Sequence, residues 1–210
     1  MLKSSFSEFC NSVSIRLGMI FSRIPISANA WTLLSLVPAV IGFAFLVQKQ
    51  MQGALVLFAA SALMDAIDGG VARVTGTVSN LGAYLDGMMD RVVEGLLLIG
   101  IMLYGIPDLI VGGYGTPAFL WIALLLFFGS AMVSYSRAYA VYRRVLKDDK
   151  KISRMPAILE RAERLILIFA GMLLYGIDPV YLTCAIALAA LLSVVTVAQR
   201  VLYTMGKAEY

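Results

Sequence analysis

Seven ionisable residues interrupt stretches that are otherwise apolar enough to enter a bilayer: Asp65, Asp68, Arg73, Asp86, Asp90, Arg91 and Glu94. Each such group costs at least about 2.5–3.5 kcal/mol on insertion scales, so they mark function by default. Asp65 and Asp68 stand three residues apart, and Asp86 and Asp90 four apart. Both spacings put a pair on one face of a helix. The acids outnumber the two arginines among them, and a bound cation would cancel their mutual repulsion. The chain has no histidine, so both a general base and a metal site must be built from carboxylates. Oxygen ligands favour Mg²⁺ or Mn²⁺. Four carboxylates suffice for two ions roughly 3.5–4 Å apart. Gly69, Gly70, Ala72, Gly76, Gly82, Ala83 and Gly87 lie around them and would let a phosphate-bearing ligand approach the backbone. Glu94 continues the Asp86/Asp90 stripe one turn deeper, either behind the metal ligands or paired with Arg91 or another polar neighbour.

The elements that must position these groups are membrane helices. Of 210 residues, 60% are hydrophobic and 14% charged, against about a quarter charged in a soluble domain. The apolar residues come in runs near the 20 or so needed to span hydrocarbon. They predict six transmembrane helices with cores near 31–48, 53–73, 82–104, 118–142, 164–177 and 180–203. The fold class is therefore all-α membrane protein, one domain over residues 1–210, with the bundle at 31–203. Residues 4–25 precede it. There Phe6, Phe9, Val13, Leu17, Ile20 and Ile24 recur at helical steps, with Glu8, Asn11 and Arg16 between them and Lys3 just before them. That pattern predicts an amphipathic helix along the interface. Lys and Arg set the orientation. They precede the first span, crowd the 143–161 loop and, as Arg200 and Lys207, close the chain, whereas Lys49 is the only basic residue in loops assigned outside. The positive-inside rule puts both termini in the cytoplasm. The short connection from Arg73 to Leu81 makes the second and third spans antiparallel neighbours, whose acids converge near the cytoplasmic end.

The stretch from Asp65 to Asp90 resembles the CDP-alcohol phosphotransferase signature D-x2-D-G-x2-A-R-x8-G-x3-D-x3-D, with Asp65, Asp68, Gly69, Ala72, Arg73, Gly82, Asp86 and Asp90 at its fixed positions. The resemblance extends to six spans and an N-terminal interfacial helix. It implies that Asp65, Asp68, Asp86 and Asp90 are metal ligands, with Asp90 also the catalytic base toward the acceptor hydroxyl. It implies that Gly69, Arg73 and Ser79 contact the CDP part of the donor. The family's Pro-Asn pattern before the first span appears as Ala28-Asn29-Ala30-Trp31-Thr32, with Ala28 in place of Pro. Asn29, Trp31 and Thr32 would lie by the nucleotide. The donor would be CDP-diacylglycerol or CDP-archaeol, CMP the leaving group, the cofactor Mg²⁺ or Mn²⁺ as two ions, the assembly a homodimer, and the setting a prokaryotic plasma membrane. No nucleic acid partner is expected.

Acceptor choice points to the later spans. Arg137 is read as a buried cation on span four, and Arg154, Arg161 and Arg164 gather at the start of span five. Arginine binds phosphate through a planar fork, so a phosphorylated polyol is expected. E160-R-A-E-R164 and S134-Y-S-R-A-Y-A140 resemble stretches of inositol-phosphate-using family members, with Tyr139 where Arg is usual. Glycerol 3-phosphate is the alternative acceptor. A cation transporter is the alternative class, but it would spread its charges across the bilayer depth and over several helices.

Overall fold

The computed structural model describes residues 14–207. The expectations resting on Lys3, Phe6, Glu8, Phe9, Asn11 and Val13 lie outside the described residues. The described chain falls into two compact units that divide between Leu97 and Leu98.

The first unit opens on α1, helical over residues 14–21. Then come α2 (Ala28–Leu34), α3 (Leu36–Val47), α4 (Met51–Thr75) and the beginning of α5 (Asn80–Tyr104). Ser27 starts α2 as an N-cap, its hydroxyl oxygen accepting the Ala30 N–H at 3.3 Å, which satisfies a donor the helix itself leaves orphaned. Ser35 keeps helical dihedrals between α2 and α3, so the two run on as a stretch long and apolar enough to cross a membrane. The buried Ser61 hydroxyl donates to the Ser35 carbonyl at 2.8 Å and so ties α4 to this stretch. Trp31, Ile67 and Val71 form a buried cluster joined by Leu17 and Phe21 of α1 and by Met64. Phe21 and Trp31 meet edge-to-face, centroids 5.5 Å apart, an arrangement aromatic quadrupoles favour.

The second unit holds the rest of α5, a hairpin of β1 (Leu109–Val111) and β2 (Tyr114–Thr116), then α6 (Ala118–Leu124), a π-helical stretch Leu125–Met132, α7 (Val133–Tyr142), α8 (Asp149–Ser153), α9 (Arg161–Leu174) and α10 (Val180–Lys207). The hairpin is a short addition to the otherwise helical fold the sequence predicts. It is antiparallel, with Ile110 opposite Gly115, and side chains pin it to its neighbours. Asp108 Oδ1 accepts the Ala118 N–H at 2.8 Å, and the Thr116 hydroxyl donates to the Leu109 carbonyl at 2.9 Å while accepting from Trp121 Nε1 at 3.0 Å. The Thr183 hydroxyl donates to the Pro107 carbonyl at 2.7 Å. At α8, the Tyr203 hydroxyl donates to the Lys151 carbonyl at 3.1 Å, beside a cluster of Ala140, Leu146 and Met155.

Four helical stretches have the length and apolarity of membrane spans: Ala28–Val47, Met51–Thr75, Ala118–Tyr142 and Val180–Lys207. They coincide with the first, second, fourth and sixth expected spans. Helix α5 matches the third in extent. The fifth differs: α9 starts at Arg161, because Glu160 and Glu163 form a reciprocal capping box, with Glu163 Oε2 accepting the Glu160 N–H at 2.6 Å. That closes two orphan donors at once and fixes the helix start.

Candidate metal centre and ligand cavity

Helix α4 carries Asp65, Asp68 and Arg73 in its last turns and stops at Gly76, whose φ of 67° is left-handed. That region is disfavoured for a residue with a side chain, and here it lets the Gly76 N–H return to the Ala72 carbonyl. Four residues later α5 begins. Ser79 caps it, its oxygen accepting the Gly82 N–H at 3.0 Å. The brevity of the 76–79 connection brings the end of one helix against the start of the next.

Carboxylate oxygens of Asp65, Asp68 and Asp86 consequently lie within 4.8 Å of one another. Asp68 is buried, and its Oδ2 has no hydrogen-bond partner among the described residues. A carboxylate drawn out of water must be compensated by charge or hydrogen bonds. Three converging acids compound the cost, and a divalent cation bound by oxygen ligands offsets it. The donor set thus fits a hard divalent metal. Of the four acids expected to converge, the structure gathers three. Asp90 lies one turn further along α5, outside that group, with its Oδ2 3.5 Å from Arg91 Nη1. Glu94 is fully buried.

A cavity of about 340 Å³ opens on the carboxylates. Asp68 and Asp86 line it together with Asn29, Thr32, Gly69, Arg73 and Ser79, so five of the six residues expected at the donor share one space. Trp31 does not line it. Its ring is packed against Ile67 and Val71, 8% exposed. One helical step of about 100° separates it from Thr32 and turns it into the core. Arg73 reaches back: its Nη2 donates to the Ser14 hydroxyl at 2.6 Å, and that hydroxyl donates to the Ala66 carbonyl at 2.6 Å.

The second unit holds the arginines. Arg137 is exposed, not buried as its place in an apolar span suggests. Arg154 is exposed, Arg161 half-buried and Arg164 buried at 1% exposure. Sequence reasoning used Arg200 only as a topological marker. The structure buries it, with Nε donating to the Pro156 carbonyl at 3.2 Å and Nη1 to the Val133 carbonyl. Arg137 and Arg164 are close enough to act on it electrostatically. The signal was available: Ser193, Thr196 and Arg200 recur at three- and four-residue steps on a face of α10 that is buried throughout.

A metal-fit carboxylate group beside a cavity with an arginine fork can hold a phosphate-bearing ligand. The chain matches the CDP-alcohol phosphatidyltransferase family over residues 25–199. It is 32% identical over 188 residues to the archaetidylinositol phosphate synthase of Pyrococcus horikoshii, covering 89% of this chain and 87% of that one. Its fold is similar to Mycobacterium tuberculosis phosphatidylinositol phosphate synthase. The crystal structure of that enzyme with CDP-DAG bound gives a TM-score of 0.76 at 21% identity, over 95% of this chain and 98% of that one. The complex of the same enzyme with manganese and citrate gives 0.75 at 21% identity, over 94% and 92%. The matched segment contains both the three-carboxylate group and the cavity, and on these grounds the chain belongs to the CDP-alcohol phosphatidyltransferase family.

Proposed function

We propose that the protein transfers a phosphatidyl-type group from CDP-diacylglycerol or CDP-archaeol to inositol 1-phosphate, releasing CMP. The observation that carries this reading is the cluster of Asp65, Asp68 and Asp86 opening on a cavity lined by Arg73 and Asn29. The inositol phosphate acceptor is supported by the name of the Pyrococcus relative and by the arginines of the second unit.

Asp65, Asp68 and Asp86 hold the metal, with Asp90 as a further ligand. When bound, two Mg²⁺ or Mn²⁺ ions neutralise pyrophosphate charge and make CMP a better leaving group. Arg73 pairs with the pyrophosphate, while Asn29, Thr32, Gly69 and Ser79 bound the nucleotide. The acceptor hydroxyl oxygen forms a bond to the β-phosphorus as the bond from that phosphorus to the CMP oxygen breaks. The hydroxyl proton passes to the Asp90 carboxylate. Arg137, Arg154, Arg161 and Arg164 supply cations for the acceptor phosphate. The helices act as six spans in one domain, with both termini in the cytoplasm of a prokaryotic cell and the protein working as a homodimer.

The test is CMP release by the purified protein in lipid vesicles, with inositol 1-phosphate, glycerol 3-phosphate, serine and inositol offered in turn. Release is expected with inositol 1-phosphate, dependent on Mg²⁺ or Mn²⁺ and abolished by chelator. Preference for glycerol 3-phosphate would reassign the acceptor. Full release in excess chelator would overturn the metal mechanism.

A further inference from the structure

Arg73 sits near the end of α4 with its side chain exposed. A long cationic side chain there has many rotamers to lose on binding a ligand, unless something holds it beforehand. The described helix that does so is α1, outside the signature motif. Ser14 is 7% exposed and its hydroxyl carries a single proton. That proton goes to the Ala66 carbonyl at 2.6 Å, so the oxygen's lone pairs are left to accept from Arg73 Nη2, also at 2.6 Å. The hydrogen-bond directions are therefore fixed. Ala66 lies between the metal-binding residues Asp65 and Asp68, so the same serine touches the carboxylate turn and the arginine fork.

The backbone geometry reinforces this contact. Gly18 and Gly70 are where α1 crosses α4. A side-chain carbon built on either one would run into the backbone of the other helix. Helix α1 thus rides directly on α4 one turn from Ser14. The Arg73 guanidinium lies beside Gly69, where an added Cβ would meet it at 3.5–3.8 Å. One arm of the fork is anchored on Ser14, and the residue as a whole lines the cavity.

We propose that Ser14 is a positioning residue, whose hydroxyl, fixed by donation to the Ala66 carbonyl, holds Arg73 in the pose that receives the phosphates of the donor. Ser14 does not line the cavity and acts through Arg73. The inference rests on the proposed CDP-lipid donor. Preorganisation of this kind strengthens binding by lowering the ordering cost.

The test is a pair of measurements on the full chain in lipid vesicles: steady-state CMP release, and CDP affinity by titration calorimetry. Ser14→Ala is expected to raise the KM for the CDP-lipid and the Kd for CDP about tenfold, the scale of one charge-assisted hydrogen bond. The kcat and the KM for the acceptor should stay within about twofold of the parent. Ser14→Thr, which keeps the hydroxyl, should restore the affinity. In an Arg73→Ala background, Ser14→Ala should change CDP affinity no further. An unchanged donor KM in Ser14→Ala would overturn the inference, as would a penalty that persists in full without Arg73. A uniform loss in all parameters together with a lower Tm, unrescued by threonine, would make Ser14 a structural staple and overturn it too. A parent protein that binds CDP but releases no CMP would instead refute the proposed reaction, leaving the Ser14 effect on CDP affinity still measurable.

Discussion

Asp65, Asp68, Asp86 and Asp90 differ in what their removal should do. The first three share one point in space, so Asp65→Asn should weaken metal and donor binding together. Asp90 lies outside that group and beside Arg91. Asp90→Asn should abolish CMP release while CDP affinity persists, and near-normal turnover in that variant would remove it as the base. Kinetics and calorimetry on the two variants separate the roles. The acids were legible in the sequence because an ionisable group in an apolar run is expensive wherever it points. The direction of a neutral residue is not written in that way. Trp31 stands between Asn29 and Thr32 in sequence, yet it turns into the core with Ile67 and Val71. Arg137 and Arg200 show the same limit for cations. Helix position alone suggested that the first was buried, and the structure exposes it while burying the second.

At the scale of elements, the α4–α5 connection is short enough to be read from its spacing, and Gly76 and Ser79 explain how it turns. The α1–α4 crossing was not legible, since it depends on two glycines 52 positions apart in the chain meeting backbone to backbone. Gly18→Leu should force the helices apart at a cost on the order of 1–3 kcal/mol, as overpacking does, and lower the Tm in detergent. Gly95→Ala is the contrasting case. A Cβ there meets nothing within 4 Å, and replacing a mid-helix glycine should stabilise by roughly 0.5–1 kcal/mol. Thermal melts of the two variants should therefore move in opposite directions. The start of α9 was misjudged for a related reason. E160-R-A-E163 was read for its likeness to other proteins, whereas its two glutamates form the cap that begins the helix.

For the whole molecule, the apolar runs specified four membrane-length stretches closely, while the hairpin and the π-helical stretch carry no strong periodic mark. Six spans would put the basic 143–160 connection and the hairpin turn on opposite faces of the membrane. Single cysteines placed at Lys147 and at Gly113 in a cysteine-free background should react with an impermeant maleimide in vesicles of opposite orientation. Labelling of both from the same side would remove the six-span topology. The stretch Leu125–Met132 divides the helix running from Ala118 to Tyr142 into two segments. Bonding five residues back instead of four slows the winding of the helix, so the two segments are out of phase with a uniform 3.6-residue wheel. A wheel drawn through Ala118–Tyr142 thus assigns Arg137 to the wrong azimuth relative to Ile122. Deleting one residue from Leu125–Met132 would let the stretch wind as a regular α-helix, so that a uniform wheel then describes both segments while every arginine stays in the sequence.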